Sequence, residues 1–358
     1  QVWLTMVGAA FIGALGVIAY WRDRSDDPGV TTEIALLLAY LIGALCTWSL
    51  PLAAALTVVV TGLLAARDPM HRFAREWLQA GELRDGLILC ALALIAVPLL
   101  PDRALWGPAL NPRTIATLLV VLLAIQALAH VARRLLQARH ALVLSSLAAG
   151  FVSSTATIAT LGMEVREGRA SARPQAGAAL LSCVGTLLQL LAVAAAVQPR
   201  WLAVLWLPAL AGAALVAAWG LWLVRSGETD HKVALTAKDA RMFSLRTAAM
   251  VALLLGGIQA AVHGLSLWWG SAGLLAGVLL GALVDLHAAA AAVLVQGPPE
   301  AAPAALLQGL MGALLVHNLS KCVTAALSGG RAYLLAFAPG ILVHMAVVLG
   351  LLAWRGAV

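Results

Sequence analysis

Charged residues are scarce in this sequence. Asp, Glu, Lys and Arg make up 11% of its 358 residues, and lysine occurs only at Lys232, Lys238 and Lys321. Soluble globular domains carry roughly a quarter charged residues. Apolar residues reach 62%, and the mean hydropathy is +0.95. This balance excludes an ordinary soluble domain and indicates a polytopic membrane protein.

Cysteine pairs and catalytic motifs are also missing. The four cysteines, Cys46, Cys90, Cys183 and Cys322, lie far apart in apolar runs, which indicates neither a disulfide framework nor a zinc site. GxSxG, HExxH, the phosphate-binding loop and the dinucleotide fingerprint do not occur, so we expect neither an enzyme nor a cofactor. The net charge of +7 rests mainly on arginines that flank apolar runs. This placement is typical of membrane anchoring and argues against nucleic-acid binding.

Long apolar runs dominate the sequence. A helix needs roughly 20 apolar residues to cross a bilayer, and about twelve such runs predict an all-α fold with that many transmembrane helices. The runs lie at 2–20, 33–48, 52–66, 84–100, 113–132, 140–162, 175–197, 201–224, 247–265, 270–294, 303–325 and 332–354. Arginine and lysine are nearly balanced on the two sides, so the orientation stays open. Because Gln1 already lies in an apolar run, we expect the start of the protein to be missing from this sequence.

The C-terminal two thirds contain an internal repeat. Segment 112–130 aligns with segment 245–263 at a displacement of 133 positions (245 − 112 = 133). The matched polar residues are Arg113 with Arg246, Gln126 with Gln259, and His130 with His263. We therefore predict two tandem four-helix copies, 112–225 and 245–355. An even number of spans gives both copies the same orientation in the membrane.

Polar residues mark the positions where the two copies differ. Asp285 in the second copy takes the place of Ser153 in the first, which begins a run of hydroxyl residues. Asp285 and Lys321 are the charged residues that lie well inside apolar runs, where a charge is costly and usually functional. We therefore predict an ion or solute site between the copies. Its candidate residues are Asp285, His287, His317, Asn318, Lys321, Ser153, Ser154 and Thr155.

Structural roles for the same residues stay open. Asp285 and Lys321 could form a fixed bridge between two helices. His287 and His317 could relay protons, bind a metal with Asp285, or be hydrogen-bonded packing residues, and no HxxxH spacing favours the metal. Small residues at intervals of four predict a helix-packing face. These residues are Gly273, Gly277 and Gly281.

Five segments resemble, in their order, the large branch of the MgtC/SapB membrane family, which carries a C-terminal domain of unknown function (number 4010). They are GVTTEIALLLAYLIGAL (29–45), ELRDGLILCALALIAVPLLPDRALWGPALNPRT (82–114), GFVSSTATIATLG (150–162), GALVDLHAAAA (281–291) and HNLSKCVTAALSGG (317–330). The resemblance implies a bacterial inner-membrane protein, with a partial MgtC-like domain at 1–100 and a second membrane domain at 101–358. Smaller relatives are linked to magnesium limitation and to the modulation of other membrane machinery.

Two functions remain open from the sequence. The first is an ion or small-solute transporter or channel, whose polar site lies between the two copies. The alternative is a scaffold or regulator of another membrane protein, in which the polar core is structural. The expected partners are the lipid bilayer, an ion or proton, and further copies of the chain, with a dimer favoured. An intramembrane enzyme is a weaker third reading.

Overall fold

The structure, a computed structural model, describes residues 2–22, 31–73, 78–107, 110–135, 141–226, 245–301 and 304–357. These ranges form helices and contain no strand, so the prediction of an all-α fold is confirmed. The chain divides into two compact units, Gln1–Ala80 and Gly81–Val358. This division falls before the domain boundary at residue 100 that the sequence suggested.

The first unit is built from short apolar helices. They are α1 (Val2–Arg22), α2 (Thr31–Leu45), α3 (Leu50–Ala65) and α4 (Arg67–Arg72). The Tyr40 hydroxyl of α2 donates a hydrogen bond to the Thr5 carbonyl of α1 at 3.1 Å. Gly8 lies against the Tyr40 ring, because a Cβ at this position would overlap it. Most of the large apolar side chains of α1 and α3 are exposed, as expected for helices that face lipid.

The second unit contains the longer helices. They are α5 (Ala80–Ala91), which continues through a π-helical turn (Leu92–Ala96) into α6 (Val97–Leu99), then α7 (Pro112–Leu135), α8 (Ala141–Arg166), α9 (Ala172–Val197), α10 (Leu202–Arg225), α11 (Leu245–Val284), α12 (Leu286–Leu294) and α13 (Ala304–Ala357). Helix α9 is the most buried of the spanning helices, with 61% of its length inside the protein. It packs against α7, α8, α10, α12 and α13, so it forms the centre of this unit.

Glycines allow the helices around α9 to approach closely. A Cβ at Gly150 of α8 would overlap the backbone carbonyl of Ser182 on α9. A Cβ at Gly177 of α9 would likewise crowd the Gly220 carbonyl of α10, at 2.5 Å. Such contacts between backbones are typical of helix packing in lipid, where dispersion contacts replace the hydrophobic driving force.

Two apolar segments that the sequence predicted as continuous helices are interrupted. The backbone is extended at Ser153 within α8 (φ −167°, ψ 107°) and at Asp285 between α11 and α12 (φ −150°, ψ 119°). Each interrupting residue caps the helix that follows. Ser153 Oγ accepts from the Ala156 N–H at 3.2 Å, and Asp285 Oδ1 accepts from the Ala288 N–H at 2.6 Å. These caps stabilise the breaks.

Glycines interrupt two other long helices. Gly270 in α11 has φ 57° and Gly330 in α13 has φ 72°, values that favour glycine because other residues are strained there. Helix α13 has 54 residues. If it were straight it would measure about 80 Å, against a hydrocarbon core of about 30 Å. The turn at Gly330 therefore separates two consecutive apolar segments.

Seven helices in the described ranges are long and apolar enough to cross a membrane. They contain the segments Thr5–Arg22, Pro112–Ala132, Leu142–Arg166, Ala172–Val197, Pro199–Arg225, Ala248–Val284 and Ala304–Arg355. Shorter apolar helices lie at Glu33–Leu45 and Leu50–Ala65. The chain is a multi-pass membrane protein.

Candidate functional site

The breaks in α8 and between α11 and α12 meet at one cavity, with a volume of about 480 Å³. Most of the site residues predicted from the sequence line it: Ser153, Ser154, Thr155, Asp285, His287 and His317. Asn318 and Lys321 are buried but do not line this cavity. The structure thus brings together the hydroxyl run of the first predicted copy and the Asp285 segment of the second.

Asp285 is held by its own half-helix. Its Oδ1 accepts from the Ala288 N–H, and its Oδ2 lies 3.6 Å from His287 Nδ1. The other ring nitrogen of His287 lies 3.4 Å from the Thr186 carbonyl oxygen of α9. Both ring nitrogens therefore face an oxygen acceptor. With 32% of its side chain accessible, Asp285 remains open to a solute in the cavity that it lines.

Lys321 of α13 does not form an ion pair with Asp285. The possible bridge between these two residues that the sequence suggested is therefore absent. Its ammonium group donates to Thr186 Oγ1 at 3.2 Å and contacts Cys183 Sγ at 3.7 Å. The side chain is 1% exposed. Lys321 thus points toward Thr186 of α9, while Asp285 contacts His287 and the N-terminus of α12.

Side chains from neighbouring helices satisfy the carbonyl groups that precede each break. Gln189 of α9 donates its amide to the Phe151 carbonyl at 2.8 Å. His317 Nδ1 of α13 lies 3.2 Å from the Ala282 carbonyl oxygen, which identifies Nδ1 as the donor. A backbone carbonyl inside a bilayer needs such a partner. His317 and Gln189 thus support the interruptions as well as line the cavity.

The predicted glycine face packs against the first part of α11. A Cβ at Gly273 would overlap the Leu265 carbonyl, one at Gly277 would approach Val262 Cα to 2.8 Å, and one at Gly281 would approach Ile258 Cγ2 to 2.7 Å. The three glycines therefore let the chain fold back on itself after the turn at Gly270. The segment that they pack against is the part of α11 that precedes Gly270.

Sequence reasoning missed several polar residues of this unit. Gln126, Thr186 and Gln189 also line the cavity, although Gln126 was identified from the sequence only as a matched residue of the repeat. Glu82 and Asp85 of α5 are buried, and Glu82 Oε1 lies 3.3 Å from His130 Nε2. The prediction from charged residues well inside apolar runs did not include them, because Glu82 and Asp85 lie at or before the start of the run at 84–100. The spacing of Glu82 and Asp85, three apart on one helix face, was the available signal.

A metal centre at the cavity finds no support in its geometry. Within the described ranges, no group of three His, Cys, Asp or Glu side chains is arranged to hold a metal ion. His287 is instead placed between Asp285 and the Thr186 carbonyl. The arrangement is suited to hydrogen bonding and charge compensation.

Two family models match this chain. Residues 120–329, more than half of its length, match the domain of unknown function DUF4010, and residues 2–73 match the MgtC family. No curated protein and no solved structure matches it. The cavity residues Ser153, Asp285 and His317 all lie within the longer match. The chain therefore belongs to the branch of the MgtC/SapB family that carries the C-terminal DUF4010 domain.

Proposed function

We propose that this protein transports an ion or small solute across the bacterial inner membrane, with the cavity at Ser153 and Asp285 as its central binding site. The observation that carries the proposal is that two membrane-spanning segments break at the same cavity. Irregular backbone at membrane depth is tolerated where it is buried in protein or lines a polar cavity. Broken helices of this kind build the solute sites of many secondary transporters.

The tandem repeat is part of this proposal. The breaks at Ser153 and Asp285 are 132 positions apart (285 − 153 = 132), close to the displacement found in the sequence. The turns at Pro199 and Gly330 differ by 131 positions (330 − 199 = 131). These matched interruptions support two copies of the same four-helix unit. Counting α11 and α13 twice raises the seven candidate spans of the described ranges to nine, and the two shorter apolar helices bring the count to eleven, close to the twelve crossings that the sequence predicts.

Flux measurements on Asp285→Asn test the proposal. Asparagine caps a helix about as well as aspartate, so this variant removes the charge while keeping the break. We expect proteoliposomes containing the wild type to move at least one solute from a panel of Na⁺, K⁺, Mg²⁺, chloride and small organic acids. The variant should change the initial rate at least tenfold, lowering it for a cation and raising it for an anion, because the accessible negative charge in the cavity is lost.

Asp102→Asn is the matched control. Asp102 is 59% exposed and pairs with Arg113, away from the cavity lining, so its neutralisation should leave the rate unchanged. Transport is contradicted if the wild type moves no solute of the panel. It is equally contradicted if folded Asp285→Asn protein moves the solute as fast as the wild type. Either result would favour the alternative, in which the polar core serves only the packing of a scaffold or regulator.

A further inference from the structure

Lys321 carries a buried positive charge that the described residues do not compensate. Its ammonium group contacts the neutral Thr186 hydroxyl and the Cys183 sulfur. No ion pair links it to a carboxylate in the part of the chain that the structure describes. An isolated buried charge is much less favourable than a compensated one. A solute of opposite charge near Lys321 would lower this cost.

Asp285 does not supply that compensation, because it is already engaged. Its two carboxylate oxygens face the Ala288 N–H and the His287 ring. Both carboxylate oxygens of Asp285 thus have partners within its own segment, namely a helix N-terminus and an imidazole. Lys321, in contrast, contacts only neutral groups among the described residues.

A chain of hydroxyl groups connects Lys321 to the cavity. An ammonium group only donates hydrogen bonds, so Thr186 Oγ1 accepts from Lys321. The Thr186 hydroxyl can then donate a hydrogen bond to Ser154 Oγ, which lies 2.9 Å away. Ser154 lines the cavity. Its hydroxyl proton is therefore available to a hydrogen-bond acceptor inside the cavity, and Lys321 polarises it in that direction.

The half-helix after Ser153 points its N-terminus into the same space. It runs to the end of α8 at Arg166, long enough for the backbone dipoles to give a positive end. Ser153 Oγ accepts one N–H group of its first turn, that of Ala156. Helix N-termini bind anionic groups through their remaining N–H groups. This end, the Ser154 hydroxyl and Lys321 all favour a negative group at one wall of the cavity.

The volume of the cavity and its aliphatic lining indicate what the solute carries besides its negative group. A cavity of about 480 Å³ is far larger than a bare ion and falls in the range of sites for small organic molecules. Part of the remaining lining is aliphatic: Leu122, Val251, Leu254, Leu255, Leu283 and Val284. The other polar lining residues include Gln126, Gln189, Asp285, His287 and His317. An aliphatic chain fits the aliphatic part of the lining, because its burial there removes apolar area from water.

We infer that the cavity binds a small organic monoanion, with its carboxylate at Ser154 and the N-terminus of the second half of α8 and its aliphatic part on the leucine and valine walls. One uncompensated positive charge matches one negative charge on the solute. This assignment rests on the proposed function, which makes the cavity a solute site, and names the class of solute.

Binding of matched six-carbon probes to purified protein in detergent tests the inference. Hexanoate, hexanamide and hexylammonium share one aliphatic chain and differ in head-group charge. Their apparent Kd values follow from the ligand-dependent rise of the unfolding temperature, read by intrinsic tryptophan fluorescence. Hexanoate should raise it saturably, whereas hexanamide and hexylammonium should not. Lys321→Met should weaken hexanoate binding at least tenfold, and Lys321→Arg should keep it within about threefold.

Further variants keep the test decisive if Lys321→Met does not fold. Thr186→Val retains the lysine and removes the connecting hydroxyl, so it should weaken hexanoate binding at least threefold. Thr160→Val is its matched control, since Thr160 bonds back to the Ala156 carbonyl and does not line the cavity. Equal binding of hexanamide, or preference for hexylammonium, overturns the inference. Saturation by chloride or inorganic phosphate at the same site, without a gain from the aliphatic chain, overturns it too.

Different experimental results would contradict the transport proposal and the monoanion site. Hexanoate binding that depends on Lys321, with no solute moved in proteoliposomes, would contradict transport and leave the monoanion site standing. Cation flux that depends on Asp285, with no hexanoate binding, would contradict the monoanion site and leave transport standing.

Discussion

At the residue scale, Asp285 performs two tasks that substitutions can separate. Its backbone is extended and its Oδ1 caps α12, which fixes where the half-helix begins. Its Oδ2 faces His287, and part of the side chain remains accessible. The first task needs a side-chain acceptor, and the second needs a charge.

Asp285→Ala should destabilise the protein by about 0.5–2 kcal/mol, the usual cost of losing a helix cap. Asp285→Asn should lower the free energy of unfolding much less, because the asparagine oxygen can accept the same hydrogen bond from the Ala288 N–H. Unfolding by an increasing fraction of SDS in mixed micelles measures both variants. If the two variants were equally destabilised, the charge of Asp285 would stabilise the break more than its capping hydrogen bond does.

Lys321 shows the limit of pairing charges from sequence. An acid and a base buried in neighbouring spans predicted a bridge, since isolated charges in lipid are costly. Whether they meet depends on how each helix is rotated about its axis, and α13 turns Lys321 toward Thr186. The sequence contains the residues but not this rotation.

At the scale of the elements, the contact between α8 and α9 depends on a missing side chain. Gly150 lies against the Ser182 carbonyl and next to Gly185, three positions before the break at Ser153. The close contact holds the first half of α8 against the most buried helix of the unit. It therefore positions one wall of the cavity.

Gly150→Ala should lower the free energy of unfolding by about 1–3 kcal/mol, the usual cost of overpacking a core. Gly257→Ala in α11 is the matched control, because no atom lies within 4 Å of a Cβ built there. Alanine favours a helix over glycine by up to about 1 kcal/mol, so this variant should be neutral or stabilising. The same SDS titration compares them. Equal effects at both positions would contradict the close contact of α8 and α9.

The hydropathy pattern of the sequence could not predict the helix breaks at Ser153 and Asp285. Apolar composition over about 20 residues predicts that a segment spans the membrane. It does not report the backbone angles of a single residue within it. Ser153 and Asp285 are both good N-cap residues, but serine and aspartate also occur inside membrane helices as functional or back-bonded residues.

At the scale of the whole molecule, a repeat of four spans would place equivalent loops on the same side of the membrane. Arg169, between α8 and α9, is then equivalent to the region of Glu300 between α12 and α13. Arg200 and Arg331 are equivalent at the other ends of these helices. Their side chains are exposed.

Single cysteines at these four positions test the arrangement. In a background with the native cysteines replaced by alanine, a membrane-impermeant maleimide added to intact cells should label Arg169→Cys and Glu300→Cys alike. Arg200→Cys and Arg331→Cys should share the opposite behaviour, and all four should react after the cells are opened. Labelling of Arg169→Cys and Glu300→Cys from opposite sides would contradict two copies in the same orientation.

The sequence by itself determined the membrane class, the all-helical fold, the family, and six of the polar residues that line the cavity. Each follows from composition over long windows, from motif order, or from the cost of polar groups in lipid, and none of these depends on exact geometry. The tertiary structure alone decided that Ser153 and Asp285 break their helices at one cavity, and that Lys321 joins Thr186. Those outcomes depend on backbone angles and helix rotation, which are set by the packing of residues distant in sequence around α9.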